Sequence, residues 1–199
     1  MILRSLASLV LLVLLGLVFL LPSQPLTARG PEHRVRQDVE TALAIDGTLP
    51  EFTLHGLDGR GLSRAELAGR RVLLVFERSL DWCPFTKARI QELRSTLEAT
   101  PDLDILWVMS DTQISPRTRV FIAELALADR IRFLADTRSS LIRALGLLKP
   151  DPDALEVGVP HPTTLLLDRR GRIRFLDVRE NFHFWLDSRL ILESLDAAG

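Results

Sequence analysis

The chain opens on an uncharged run of leucine and valine from Ser5 to Leu21, preceded by Arg4 and followed by Pro22, a pattern that fits no globular element. The run is longer than the ~7 to 15 apolar residues of a signal-peptide core and just short of the ~20 that span a bilayer comfortably. Residues 1–28 are therefore expected to be a signal peptide or a membrane anchor. Leu26 stands where a cleavage site after Ala28 would need a small side chain, which favours the anchor. Either reading carries the rest of the chain across a membrane, although Arg4 competes with Arg29, Arg34 and Arg36 in setting orientation. An extracytoplasmic, periplasmic-side domain tethered through its N-terminus is expected. Residues 29–48 mix charges with Pro and Gly, show weak helical periodicity around Val39, Leu43 and Ile45, and read as a linker.

From residue 49 the pattern changes to short apolar runs alternating with amphipathic stretches, giving one domain over residues 49–199. Phe52-Thr53-Leu54 reads as a strand, Asp58-Gly59 as a tight turn, and Ser63-Arg64-Ala65-Glu66 as a capping box opening a short helix that Gly69 ends. Val72 to Phe76 (VLLVF) is a continuous apolar run of strand length, the signature of a strand covered on both faces. Ile90, Leu93 and Leu97 recur at helical spacing, with Lys87, Arg89, Glu92 and Arg94 between them, which predicts a helix over 84–98. Asp104 to Met109 and Ile131 to Leu134 read as strands, and Arg117 to Ala128 and Ser139 to Leu145 as helices. Thr163 to Leu167 and Ile173 to Val178 flank Asp168-Arg169-Arg170-Gly171 as a hairpin, and Leu186, Leu190, Ile191 and Leu195 mark a last helix. This alternation predicts an α/β domain with a mixed central sheet flanked by helices.

Composition changes this picture little. Lys and Arg number 25 against 26 Asp and Glu, for a net charge of −1, so no basic field points to nucleic acid. His33, His55, His161 and His183 lack metal-ligand spacing, and one cysteine builds no closed zinc site. No phosphate-cradling glycine loop occurs, so neither a metal nor a cofactor is expected.

The cysteine changes it more. Cys83 is the single cysteine, so in an oxidising compartment it is either buried and inert or reactive toward something outside the chain. It follows the VLLVF strand and precedes a helix that begins with Pro84, a residue tolerated at the first helical position because that N–H has no intrahelical partner. Cys83 thus falls at the N-cap, where unpaired amides and the helix dipole favour a thiolate over a thiol. Thr86 is expected to turn its hydroxyl back to the sulfur from the first turn. Arg78 and Lys87 reinforce a thiolate while Glu77 and Asp81 oppose it, so these charges do not decide the matter. His183 and Trp185 read as packing residues ahead of the last helix.

The strand, the Trp82-Cys83-Pro84-Phe85-Thr86 turn, the helix carrying ELRSTL and the later VPHPTTLLLDRRGRIRF together resemble the thioredoxin-like superfamily. Within it they are similar to the peroxiredoxin-like branch of alkyl hydroperoxide reductases and thiol-specific antioxidants. The resemblance implies a thioredoxin-like fold with Cys83 as nucleophile and Thr86 standing where a second cysteine is common. It implies that His161-Pro162-Thr163 is the cis-proline loop lying against the sulfur, and that Arg174 helps hold a peroxide. Trp82, Pro84, His161, Pro162 and Thr163 would line the substrate site, with His161 either a nearby base or a loop filler. One departure stands out, because Phe76 and Leu80 occupy the positions of the peroxiredoxin Pro-x-x-x-Thr/Ser-x-x-Cys signature.

The activity implied is a one-cysteine cycle, in which the Cys83 thiolate attacks a hydroperoxide or a protein disulfide and an external thiol completes the turnover. A non-catalytic binding or chaperone-like module for exported proteins is the alternative.

Overall fold

The computed structural model describes residues 36–37, 39–124, 131–150, 156–182 and 188–197. Its frame is a mixed sheet of eight strands: β1 (Arg36–Gln37), β2 (Thr53–Gly56), β3 (Gly61–Ser63), β4 (Arg71–Phe76), β5 (Leu103–Ser110), β6 (Ile131–Asp136), β7 (Thr163–Leu167) and β8 (Ile173–Val178). They lie in the order β1-β8-β7-β4-β5-β6-β2-β3. Among the described residues four α-helices accompany them: α1 (Pro84–Ala99), α2 (Pro116–Glu124), α3 (Ser140–Ala144) and α4 (Ser188–Ala197).

The apolar run at 72–76 becomes β4, flanked by β5 in parallel and by β7 in antiparallel register. Successive side chains of a strand point to opposite faces, and β4 uses both. Val72, Leu74 and Phe76 join Leu54, Leu106 and Leu165 on the face that α3 covers with Leu141 and Ile142. Leu73 and Val75 join Ile105, Trp107 and Phe175 on the other face, covered by Ile90 and Leu93 of α1 and Ile191 and Leu195 of α4. A run apolar at every position is what such two-sided burial requires.

The β7–β8 hairpin has the expected limits, closed by the Gly171 N–H donating to the Asp168 carbonyl at 2.9 Å, with Gly171 at φ 73°. Pairing places Thr163 opposite both Phe76 and Val178, so the ends of β4 and β8 meet the start of β7 at one end of the sheet. The parallel strands β5 and β6 finish at that same end. The sequence reading missed β3, a three-residue strand that returns after the Asp58-Gly59 turn and pairs with β2. The segment after Ser63 is a 3-10 helix over Arg64–Leu67, short because only four residues separate the cap from the Ala68-Gly69 exit. The Glu66 carboxylate accepts from the Ser63 N–H at 2.7 Å, the reach-back half of the expected capping box.

Residues 39–48, expected in a linker, are packed onto the domain instead. Leu43 is buried, Ala42 N–H donates to the Leu145 carbonyl at 3.2 Å, and Asp46 N–H and Gly47 carbonyl bond to Ile173 at 2.8 and 2.9 Å. The physical reason is that the β8 edge leaves backbone groups to satisfy, and this stretch satisfies them. The apolar leader, the end of the helix expected over 117–128, and His183, Trp185 and Leu186 lie outside the described residues. Among the described residues no helix is long and apolar enough to cross a membrane.

Leu43 contributes a full side chain to the core from this arm, so Leu43→Ala should cost about 2–5 kcal/mol. A denaturant titration in which the midpoint does not move would show that the arm is not part of the cooperative unit.

Candidate active site

The end of the sheet where β4 stops is built around the Cys83 turn. Cys83 is the N-cap of α1 with φ −92° and ψ 108°, and Pro84 occupies the first helical turn. The turn is pinned from both sides. Cys83 N–H donates to the Ser79 carbonyl, and the Cys83 carbonyl accepts from Lys87 N–H, each at 3.3 Å. Ser79 Oγ donates to the Gln113 carbonyl at 3.4 Å, and the Asp81 carboxylate accepts from Thr118 Oγ1 at 2.6 Å and from Ser115 Oγ. Asp81 therefore ties the loop to the start of α2. The cysteine is a free thiol, 1% exposed.

Beneath the turn lies a buried polar layer. Glu77, one residue past β4, receives Arg89 Nη1 of α1 on Oε1, and Arg89 Nη2 donates to Thr164 Oγ1 of β7. Thr86 Oγ1 donates to Glu77 Oε2 at 3.4 Å. This corrects the expectation that the Thr86 hydroxyl turns to the sulfur: a buried carboxylate beside it is the stronger acceptor. Arg89, which read as part of a solvated helix face, is 3% exposed. Its signal was available, because Thr86, Arg89, Ile90 and Leu93 share the i, i+3, i+4, i+7 stripe that faces the core.

A second cluster lies over the turn. The Arg78 guanidinium sits over the Trp82 ring at 4.3 Å and over the Phe182 ring at 3.5 Å, and Phe182 meets Phe85 edge-on with centroids 5.9 Å apart. Residues 82 and 85 flank Cys83-Pro84, so Arg78 and Phe182 are built into its surroundings. Glu156 bridges Arg78 Nη2 at 2.5 Å and Lys149 Nζ at 2.9 Å. Sequence reasoning did not single out Glu156 or Phe182, and it weighed Glu77 and Arg78 only as opposing charges near the sulfur. The one available hint was a charged Glu77-Arg78 pair directly after a strand with no exposed face.

His161, Pro162 and Thr163 enter β7 at the same sheet end, as expected. His161 and Thr163 are buried, Thr163 Oγ1 donates to the His161 carbonyl at 2.9 Å, and His161 N–H donates to the Leu147 carbonyl at 2.7 Å. The peptide bond before Pro162 is trans, against the expectation of a cis bond. Trans is the lower-energy form of an X–Pro bond by ≈ 0.5–1 kcal/mol. Here the loop is already satisfied in that form, with Arg179 N–H donating to the Pro162 carbonyl at 2.9 Å. Burial, and then the Lys149 charge, hold the His161 ring below its usual pKa, while the Arg179 backbone, Glu180 and Glu156 pull it up.

Arg174 does not belong to this site. It is exposed on β8, where it pairs with Asp46 and with Asp168 at 3.3 Å. Val178, opposite Thr163, is four residues further along β8, so Arg174 lies about 13 Å away along the strand. The alternation of the hairpin turns residue 174 outward while its neighbours Ile173 and Phe175 are buried. Phe76 and Leu80 are both fully buried, and neither carries a hydroxyl.

Residues 45–176 match the AhpC/TSA family. The chain belongs to that family. No curated protein matches it. Among solved structures, the AhpC/TSA chain is similar to a thiol peroxidase from Chromobacterium violaceum, with TM-score 0.67, 20% identity, and coverage of 78% of this chain and 87% of that one. It is also similar to a peroxiredoxin-like protein from Aquifex aeolicus, with TM-score 0.65, 14% identity, and coverage of 79% and 88%. A secreted Mycobacterium tuberculosis disulfide oxidoreductase homologous to E. coli DsbE gives TM-score 0.54, 18% identity, and coverage of 73% and 95%. These likenesses establish the thioredoxin-like fold of this AhpC/TSA domain.

Two measurements follow from the site. Removing one member of the Glu77–Arg89 pair strands a buried charge, so Arg89→Met should cost about 3–5 kcal/mol, while Glu77→Leu with Arg89→Met should recover much of that. A double variant as unstable as the sum of its parts would contradict the pairing. For His161 the unfolded ring titrates near 6.5 and the folded ring lower, so the neutral ring's stabilisation is complete above pH 6.5. It is lost as pH falls from there through the folded value. Thermal melts should show this acid-side loss in the native protein and a smaller one in His161→Gln; identical profiles would remove His161 as its source.

Proposed function

We propose that this chain is a one-cysteine thiol oxidoreductase of the peroxiredoxin-like type, acting on a hydroperoxide or on a protein disulfide through Cys83. The observation that carries the reading is the placement of the chain's single cysteine at the N-cap of α1, directly before Pro84, in an AhpC/TSA-family domain. Backbone N–H groups of a first helical turn have no intrahelical acceptors and stabilise negative charge placed there. A thiolate is the attacking species in both reactions. With peroxide, sulfur is oxidised to a sulfenic acid; with a disulfide, it forms a mixed disulfide. Thr86 holds the place of a second cysteine, and its hydroxyl is occupied by Glu77. Turnover therefore requires an external thiol.

The names of two structural neighbours, a thiol peroxidase and a secreted disulfide oxidoreductase, agree with this chemistry for those proteins. The apolar leader supports an extracytoplasmic location with the membrane reached through the N-terminal segment.

Exposing the purified domain to hydrogen peroxide and trapping the product with a sulfenate-specific reagent should place one oxygen on Cys83 by mass spectrometry. Cys83→Ser should trap nothing. If Cys83 stays reduced under conditions that oxidise free cysteine, the enzyme reading fails and the binding-module alternative takes its place.

A further inference from the structure

A cleft of about 410 Å³ opens between the Cys83 turn and α2. Asp81 and Lys87 form one wall, and Arg117, Val120, Phe121 and Glu124 of α2 form the other. Lys87 N–H donates to the Cys83 carbonyl at 3.3 Å. That is the helical i to i−4 bond, and it sets the two residues about 5–6 Å apart at Cβ. The cleft therefore begins one helical turn from the cysteine.

Its charges are unspent, unlike those buried beneath the turn. Among the described residues no carboxylate contacts Lys87 or Arg117, and no cation contacts Glu124. Lys87 Nζ donates to the Asp81 carbonyl at 3.1 Å and lies 4.7 Å from the centre of the Phe121 ring. The Asp81 carboxylate is occupied by Thr118 Oγ1 at 2.6 Å and by Ser115 Oγ. Arg117 and Glu124 are seven residues apart on α2, which is two turns and about 10 Å along the axis. Val120 and Phe121 lie between them on the same stripe, with Val120 58% exposed. The stripe offers a cation, an apolar floor and an anion in that order. Its complement is a ligand with a carboxylate at one end and an ammonium at the other, about 10 Å apart, the span of three extended residues.

Resting on the one-cysteine reading above, we propose that this cleft seats the external thiol that completes the cycle, and that the thiol is a peptide about three residues long with free ends. Its carboxylate pairs with Arg117 and its ammonium with Glu124. Its sulfur faces Lys87, whose charge favours the thiolate. Cys83 is 1% exposed, so a reductant has to be held while the turn yields, and a seat beside the turn supplies that hold. The peptide thiolate attacks the sulfur of Cys83–SOH, an S–S bond forms and the S–O bond breaks. Hydroxide leaves and takes a proton to become water. A second thiolate attacks the peptide sulfur of the mixed disulfide and releases the Cys83 thiolate with a peptide disulfide. The two peptide thiols lose one electron each, and the Cys83 sulfur gains both.

The test uses the full-length protein with Cys83 converted to its mixed disulfide with thionitrobenzoate, so that release of the coloured thiol reads attack on Cys83 without peroxide. Three tripeptides are compared: Gly-Cys-Gly, its C-terminal amide and its N-acetyl form. On native protein each blocked peptide should react about threefold more slowly than the free one. Amidation should make no difference to Arg117→Gln, and acetylation none to Glu124→Gln. Equal rates for all three peptides on native protein overturn the proposal, as do variants that keep the native preference. A native dimer that Val120→Asp dissociates gives the cleft to a second copy and overturns it as well. Calorimetry with Gly-Ser-Gly, which has the same ends and cannot react, reads the seat independently of the sulfur. Native protein should bind it and both variants should bind it about threefold more weakly; no binding by native protein overturns the proposal. A Cys83 that neither peroxide nor the disulfide reagent modifies in the native protein defeats the one-cysteine reading itself, a separate result, and the calorimetry then decides the seat.

Discussion

A carboxylate and a guanidinium held away from water at the end of β4 decide where α1 begins. Glu77 is the first residue after a strand buried on both faces, and its charge has no route to solvent. Arg89 supplies the partner from the second turn of α1 and carries the link on to Thr164 of β7. Three elements are thereby registered to one another by groups whose mispairing costs several kcal/mol per ion. The loop between Glu77 and Cys83 has a fixed span to cover, and Pro84 starts the helix at its far side. The sulfur is placed as a consequence of this layer below it, before any group touches it.

The same economy shapes the upper cluster. Arg78 follows Glu77 in sequence, so when Glu77 turns inward to Arg89, its neighbour is left at the sheet end against Trp82 and Phe182. A guanidinium between two aromatic faces keeps its flat surfaces covered while its edges stay available for hydrogen bonds. Glu156 takes one edge, and the arrangement needs the segment around it to stay in place. Thr112 Oγ1 and Gln113 Nε2 hold the Val157 carbonyl at 2.9 and 3.0 Å, and Gly158, at φ 76°, comes so close to Ser110 and Thr112 that a Cβ would meet their hydroxyls at 2.6 and 2.7 Å. The ends of β4 and β5 thus anchor the same strap, and that strap carries the carboxylate that fixes Arg78.

Much of this frame was legible in the sequence, because burial leaves a period. VLLVF announced a two-faced strand, the DRRG turn announced the hairpin, and the Ile90 and Leu93 spacing announced α1. What failed to show were features whose signal is a single residue. Leu43 and the partly buried Val39 report that the 39–48 arm is docked, and the periodicity they make with Ile45 is too weak to announce it. The resemblance implies a site role for Arg174, yet strand alternation turns it to solvent beside Asp46 and Asp168. The resemblance carried a cis bond to Pro162, while this chain satisfies the loop with a trans one.

The polar groups of the site were harder to read for a physical reason. A buried ion pair looks, residue by residue, like a solvated one: Arg89 lies among Lys87, Glu92 and Arg94, and only its position on the core-facing stripe separates it from them. The cost of burying it is what makes it informative. Each buried cation around the turn has a carboxylate in contact: Arg89 with Glu77, Arg78 with Glu156, Arg179 with Asp177. Such pairs cancel over a few ångströms, so they orient groups and supply little net field at a distance. The directional feature that these pairs leave uncancelled at Cys83 is the start of α1, whose first-turn N–H groups have no intrahelical acceptor.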